Sequence, residues 1–129
     1  MNNLLTKLSN ALSPVILLLV RIIAGYLIVL HGVQKLTNPD MPLFSLMGLG
    51  GCIETVGGLL IIIGLFTRVA TFLLAGQMAV AYLMFHASAE TFFNPLANQG
   101  ELAIIFCMTF LSLFVTGAGK FSLDTKFNK

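Results

Sequence analysis

The chain has 129 residues, of which 57% are hydrophobic and only 9% are charged. Soluble domains contain about 25% charged residues, so a water-soluble fold built from this chain would lack the polar side chains to cover its surface. The net charge of +2 comes from scattered Lys and Arg residues that form no basic face, so we expect no nucleic-acid partner.

The N-terminal segment is predicted to form a short helix that lies on the membrane surface. Four leucines recur there at helical spacing, with Asn, Lys and Ser residues between them: Leu4, Leu5, Leu8 and Leu12. We interpret this segment as an anchor without chemistry of its own.

Four apolar stretches follow, and a helix needs about 20 mostly apolar residues to cross a bilayer. Turn-forming residues separate them at Asn38–Pro42, at Gly64–Arg68 and at Phe92–Pro95. The chain is therefore predicted to be all-α: a single domain over 1–129 that forms a membrane-spanning, up-down-up-down four-helix bundle. The predicted spans cover approximately 14–34, 49–66, 69–87 and 101–115.

The distribution of basic residues predicts the orientation, because Lys and Arg in short loops stay preferentially on the cytoplasmic side. Lys35 is the exception, near the opposite side. We therefore expect a multi-pass protein of the bacterial cytoplasmic (inner) membrane, with both termini cytoplasmic. The basic residues that share the predicted cytoplasmic side are Lys7, Arg68, Lys120, Lys126 and Lys129.

Ionisable residues inside the membrane are candidates for function, since each costs about 2.5–3.5 kcal/mol to insert. In the predicted topology, each of the four spans places at least one such residue at the extracytoplasmic end. The candidate ligand-binding residues are His31, Lys35, Glu54, His86 and Glu101.

Helical phase indicates which polar residues face the interior of the bundle. Glu54 lies on a stripe with Gly57 and Gly58, where a neighbouring helix can approach closely. Gln77 falls opposite His86 on a regular α-helix, so it is left outside the predicted site.

Arg21 lies about two turns inside the first span, counted from its cytoplasmic end. We expect its side chain either to extend toward the headgroups or to find backbone carbonyl partners inside the bundle.

The polar residues at the extracytoplasmic ends of the four spans form a layer, here called the polar layer, and several interpretations of it stay open. In a structural one, Lys35 and Arg21 neutralise Glu54 and Glu101, the histidines hydrogen-bond to them, and the layer only sets the helix register. In a functional one, His31, Lys35 and His86 donate hydrogen bonds to a quinone-like head group while Glu54 and Glu101 handle protons.

A bound metal and a bound haem are the weaker alternatives. Two histidines and two carboxylates come from four helices, but neither Glu54 nor Glu101 begins the Glu-x-x-His pair of di-iron bundles. His31 and His86 could ligate a haem, although nothing else in the sequence marks a haem pocket.

Three segments resemble the DoxX family of small four-helix membrane proteins: Arg21–Leu36 (RIIAGYLIVLHGVQKL), Glu54–Arg68 (ETVGGLLIIIGLFTR) and Gly117–Asp124 (GAGKFSLD). Their order and spacing, with an Asn-x-x-Glu before the last span, carry the resemblance. Ala118 departs from the usual Gly-Pro-Gly ending of the family. The positions at family motifs are Arg21, His31, Gly32, Lys35, Glu54, Gly57, Gly58, Gly64, Arg68, Glu101, Gly117, Gly119 and Asp124.

The resemblance implies a fold more strongly than a function. Similar members include a subunit of an archaeal thiosulfate:quinone oxidoreductase and a mycobacterial protein that holds thiol-redox enzymes at the membrane. At the motif positions it implies structural or orienting roles for Arg21, Gly57, Gly58, Arg68 and Asp124.

We expect a redox-associated membrane component that binds a quinone-like or other small apolar molecule near its extracytoplasmic face. The chain has no dinucleotide fingerprint, P-loop or CxxC motif, so electrons must come from elsewhere. It is interpreted as a subunit or accessory of an oxidoreductase. Its expected surroundings are the lipid bilayer, with another oxidoreductase subunit or a peripheral redox protein as partner and a homo-oligomer left open. The alternatives are a non-catalytic scaffold and a small oligomeric transporter.

Overall fold

A computed structural model describes residues 2–128 of the chain. Lys129, one of the residues used to predict the orientation, lies outside them. The regular secondary structure of the described residues is helical, without a β-strand; a π-helical turn, Tyr82–His86, continues the third helix. The helices are α1 (Asn2–Leu36), α2 (Leu46–Ile63), α3 (Thr67–Ala81), α4 (Glu101–Thr116) and α5 (Leu123–Phe127).

The helices have the length and surface of a membrane bundle. By length and composition, α1, α2 and the continuous helix Thr67–His86 can each cross a membrane, and α4 is a shorter apolar helix. Leu, Ile, Val and Phe side chains cover the outer faces of these helices. The chain is thus an integral membrane protein, and the predicted fold class is confirmed.

The N-terminal segment and the first span form one helix. The predicted surface helix has no break after it, and α1 runs through Pro14 to Leu36. Proline removes one backbone hydrogen bond inside a helix but leaves the other bonds of the ladder in place. The leucines of the N-terminal segment stay exposed.

Capping residues set the limits of α2, which begins three residues before the predicted second span and ends three residues earlier. Ser45 accepts a hydrogen bond from Gly48 N at 3.1 Å and starts the helix. Gly64, with φ of 71°, ends it in the left-handed conformation that glycine adopts without strain. The turn into α3 therefore starts at Gly64.

Glycines bring α1 and α2 into close contact. A Cβ on Gly25 would lie 2.8 Å from the carbonyl oxygen of Gly58, and one on Gly32 would lie 2.7 Å from that of Gly51. The two glycines on each helix are seven residues apart, so both pairs lie on the same antiparallel interface. Small residues of this kind let helix backbones approach in a membrane.

The adjacent glycines of α2 serve two different neighbours. Gly58 faces α1, whereas a Cβ on Gly57 would lie 3.0 Å from Leu74 of α3. The sequence predicted a structural role for both residues, and their positions fit that role. A larger side chain at Gly57 would push against α3, because Leu74 is fully buried.

The C-terminal segment caps α3 at the end of the bundle that carries the α2–α3 turn, here called the hairpin end. The Asp124 carboxylate accepts hydrogen bonds from Phe66 N at 2.8 Å and from Thr67 N at 2.9 Å. Asp124 N in turn donates to Gly64 O at 2.8 Å. A side chain distant in sequence thus satisfies the free N–H groups at the start of α3.

Arg21 joins three parts of the hairpin end from a buried position, with 1% of its surface exposed. Its guanidinium donates to Ile61 O at 2.9 Å and Ile62 O at 2.8 Å, which are among the last carbonyls of α2. It also donates to Ala118 O at 2.9 Å and Phe121 O at 2.7 Å in the segment after α4. Of the two expectations for Arg21, the internal carbonyl partners are the ones observed.

Arg68 plays a similar but more exposed part at the same end. Its Nη1 donates to Phe114 O of α4 at 2.9 Å. Gly117 lies close by, since a Cβ there would be 3.2 Å from Nη2 of Arg68. The contact holds the start of α3 against the end of α4.

Candidate functional site

A cavity of about 570 Å³ lies between the helices at the end of the bundle opposite the hairpin end. We call it the interhelical cavity. Its walls are mainly apolar, with a few polar groups, as is usual for small-molecule sites of about 300–1,000 Å³. Its polar side chains include His31, Lys35, Glu54, Gln77 and His86.

Glu54 is the buried acid at the inner wall of the cavity, with 1% of its surface exposed. Its Oε1 accepts a short hydrogen bond from Lys35 Nζ, which makes a salt bridge between α1 and α2. Its Oε2 is buried and has no hydrogen-bond partner among residues 2–128. A buried carboxylate is costly unless paired, so the ammonium of Lys35 is what stabilises this charge.

Lys35 links the buried acid to the open part of the cavity, because 22% of its side chain is exposed. An ammonium group has three donors, and one of them is directed at Glu54. The other two are available to a molecule in the cavity. The salt bridge gives the ammonium an internal partner at a depth where an unpaired charge would be costly.

Gln77 forms one polar group with Glu54 and Lys35, whereas the sequence interpretation placed it outside the site. Its Nε2 donates to Glu54 Oε1 at 2.8 Å and to Gly50 O at 3.2 Å. Gly50 permits this approach, since a Cβ there would lie 3.0 Å from the Gln77 amide nitrogen. The carboxylate of Glu54 therefore joins α1, α2 and α3.

The π-helical turn explains why helical phase misplaced Gln77 relative to His86. Ala87 N donates to Tyr82 O at 2.8 Å, a hydrogen bond across five residues that holds one more residue than an α-helical turn. The side chain of His86 therefore leaves the helix in a different direction from the one that a regular α-helix would give it. The signal that could have identified Gln77 was its presence as a polar side chain within an apolar span.

The two histidines have the same hydrogen-bonding arrangement. His31 Nδ1 lies 2.8 Å from Leu27 O, and His86 Nδ1 lies 3.2 Å from Asn98 O. A carbonyl oxygen only accepts, so Nδ1 carries the hydrogen in both rings. In the neutral imidazoles Nε2 is then an acceptor, and it becomes a donor when the ring is protonated.

Asn98 organises the loop that positions His86. Its side-chain amide donates to Tyr82 Oη at 3.1 Å and to Thr91 O at 3.0 Å, and its Oδ1 accepts from Gly100 N at 2.8 Å. The imidazole of His86 stacks on Tyr82, with ring centroids 6.4 Å apart. The loop before α4 and the end of α3 thus form one hydrogen-bonded unit at the cavity.

Glu101 is the predicted site residue that the structure does not bring to the cavity. It is exposed in the first turn of α4 and does not line the cavity. A carboxylate at that position interacts favourably with the positive end of the helix dipole. Of the five predicted ligand-binding residues, His31, Lys35, Glu54 and His86 line one cavity.

The geometry also bears on the metal interpretation. Within residues 2–128, no group of three or more His, Cys, Asp or Glu side chains is placed to hold a metal ion. The predicted set of two histidines and two carboxylates therefore does not converge. What the cavity offers a ligand is one ammonium group, two imidazole nitrogens and apolar walls.

The family profile of DoxX matches residues 16–87, which run from α1 to the end of the π-helical turn. The chain belongs to the DoxX family. The matched region includes Lys35, Glu54, Gln77 and His86, so most of the cavity's polar groups lie within the part typical of DoxX proteins.

Two proteins of Haemophilus influenzae are similar to this DoxX chain, and both are described as uncharacterized. One is 39% identical over 127 residues, which cover 90% of this chain and 93% of the relative. The other is 36% identical over 76 residues, covering 59% of this chain and 49% of the relative. No solved structure matches the chain.

Proposed function

We propose that this DoxX-family protein is a redox-associated membrane component that binds a quinone head group in the interhelical cavity. The observation that carries the proposal is the Lys35 ammonium, which the buried Glu54 holds at the wall of an otherwise apolar cavity. A quinone has carbonyl acceptors on an apolar ring. The cavity offers the complementary pattern, with donors at one place and apolar side chains around it.

The proposed binding mode follows from the available donors and acceptors. Lys35 Nζ donates to one quinone carbonyl, and a protonated imidazole at His31 or His86 donates through Nε2 to the other. Reduction of a quinone to a quinol takes two electrons and two protons, and the Nε2 atoms can deliver and recover protons. Electrons come from a partner oxidoreductase subunit or a peripheral redox protein.

The roles of the two acids differ from the sequence interpretation. The Oε1 atom of Glu54 accepts from both Lys35 and Gln77, so we assign Glu54 the positioning of Lys35 and the stabilisation of its charge. Glu101 has no assigned role in the site, since it does not line the cavity. Proton handling in the proposal falls to the histidines.

We further propose that the hairpin end faces the cytoplasm and that the protein resides in a bacterial inner membrane. The support is the positive-inside rule, because Arg68, Lys120 and Lys126 lie at that end of the chain's fold. The interhelical cavity then opens at the extracytoplasmic leaflet. The orientation can be tested by introducing single cysteines at either end of the bundle and measuring which of them a membrane-impermeant thiol reagent labels from the outside of inverted vesicles.

The first experiment is purification in mild detergent, followed by a visible spectrum and by mass spectrometry of the extracted lipids. Co-purified quinone supports the proposal. A Soret band would instead support haem ligation by His31 and His86. A colourless protein that binds no added quinone would overturn the proposal and favour the scaffold, which should still capture its partner proteins.

Variants then locate the binding site. Because removing one member of a buried ion pair leaves a charge unpaired, the main test is the double variant Lys35→Met/Glu54→Gln, which removes both charges together. We expect it to fold and to lose quinone affinity by about tenfold or more, as the loss of a charge-assisted hydrogen bond predicts. Glu101→Gln is the matched control and should bind normally. Equal affinity in all three proteins would exclude the cavity as the site.

A further inference from the structure

The wall of the interhelical cavity is incomplete on the side where α2 and α3 face outward. Leu49 and Ile53 of α2 and Val80 of α3 all line the cavity. These side chains are nevertheless 49%, 41% and 48% exposed. They therefore belong both to the cavity and to the outer surface of the bundle, which in a membrane contacts lipid chains.

The polar side chains of this opening lie at its inner end and the apolar side chains at its outer end. Gln77 bridges α2 and α3 at its inner end, through its hydrogen bonds to Glu54 and Gly50. Val80 follows Gln77 by three residues on α3, and Ile53 directly precedes Glu54 on α2. A molecule placed here would meet hydrogen-bonding groups at its inner end and only apolar side chains at its outer end.

An aromatic contact covers part of the cavity on the α1–α4 side. Phe106 of α4 is buried and packs edge-on against the His31 ring, with centroids 5.7 Å apart. This contact covers the imidazole on that side. On the α2–α3 side, the lining side chains Leu49, Ile53 and Val80 are instead about half exposed.

We infer that the ligand is a long-tailed amphiphile that enters from the lipid between α2 and α3 and leaves its tail against Leu49, Ile53 and Val80. This inference rests on the proposed function and specifies it: the ligand is a quinone with an isoprenoid or alkyl tail, and tail contacts contribute to its binding. Each methylene that moves into a protein contact adds favourable free energy, provided the contact is closer than the one lipid offers.

The test compares a tailless quinone with analogues of the same head group and increasing tail length, in nanodiscs, with affinities corrected for partition into lipid. Because the tail contacts the protein more closely than it contacts lipid, we expect the corrected affinity to rise by about tenfold between the tailless and the ten-carbon analogue. Ile53→Trp should fill the opening, cancel that gain and leave the tailless quinone within about twofold of its original affinity. Val80→Trp should do the same from the α3 side.

The matched control is Val56→Trp, since Val56 is exposed on α2 but does not line the cavity. It should leave both affinities unchanged. Tight binding of every analogue regardless of tail length would overturn the inference while the proposed function stands. If no quinone binds, the proposed function itself is overturned. If a phospholipid co-purifies and long-tailed quinone cannot displace it, the inference that a quinone tail occupies the opening is overturned.

Discussion

Gln77 and Glu54 are joined by a hydrogen bond of 2.8 Å between the side-chain amide nitrogen and carboxylate Oε1. The same oxygen accepts from Lys35, so one carboxylate connects three helices at the cavity. Because Glu54 is buried, each donor both stabilises its charge and fixes the helix that carries the donor. The polar group thus contributes to the bundle whether or not a ligand is present.

Replacing Gln77 tests this connection. Gln77→Leu removes a donor from Glu54 and from Gly50 O, and we expect it to lower the free energy of unfolding by about 1–3 kcal/mol. Thermal unfolding can be followed with a thiol-reactive dye, because Cys52 and Cys107 are only partly exposed in the folded state. Gln34→Leu, at an exposed position of α1, is the control. Equal stability of the two variants would mean that the Gln77 bond contributes nothing measurable.

Arg21 should be the most sensitive basic residue of the chain to substitution. Arg21→Ala leaves carbonyl groups of α2 and of the segment after α4 without their donor, and we expect a loss of about 3–5 kcal/mol. Arg21→Lys keeps the charge but cannot reproduce the planar set of donors, so it should restore only part of the stability. Arg68→Ala, which removes the hydrogen bond of a more exposed guanidinium to Phe114 O, should cost about 1 kcal/mol. The ranking fails if Arg68 proves the more sensitive residue in the same melting assay.

Asp124 should stabilise α3 as a cap provided by the C-terminal segment. Asp124→Ala removes the acceptor for two N–H groups, Phe66 N and Thr67 N, and is expected to cost about 1–2 kcal/mol. Asp124→Asn keeps one oxygen and should be affected less. Asp40→Ala, in the exposed loop after α1, is the matched control and should melt like the wild type. Faster amide exchange at the start of α3 would show that the loss is local, whereas a uniform change would argue against capping.

The packing of α1 on α2 predicts opposite results for two glycines. Gly32→Ala places a Cβ 2.7 Å from the backbone oxygen of Gly51, so the helices must separate and stability should fall by about 1–3 kcal/mol. A Cβ on Gly76 meets nothing within 4 Å, and Gly76→Ala should be neutral or stabilise by about 0.5–1 kcal/mol. Both variants can be compared in one melting experiment. A loss at Gly76 equal to that at Gly32 would contradict the observed interface.

Much of the fold was predictable because a membrane limits what a sequence of this composition can form. Apolar stretches without charge must be helical in lipid, since every backbone polar group needs an internal partner. The positions of Gly64 and of the polar loop before α4 then separated the helices. The N-terminal surface helix, however, was not separate from the first span. Pro14 removes one backbone hydrogen bond from α1, but the helix continues through it.

The candidate site was predictable as a layer and not as a set of contacts. Depth along each helix follows from residue count, so the end of the bundle that collects His31, Lys35, Glu54 and His86 could be read directly. The direction of a side chain depends on rotation about the helix axis, and rotation errors accumulate wherever the helix departs from 3.6 residues per turn.

The sequence by itself determined that the chain is a helical membrane protein of the DoxX type with an ionisable layer near one end. Only the tertiary structure decided that Gln77 lines the interhelical cavity and that Glu101 does not. The π-helical turn before His86 changed the phase of α3 in a way that no local propensity indicates. The partners of Arg21 were likewise decided by long-range packing, because its carbonyl acceptors lie about 40 and about 100 residues away along the chain.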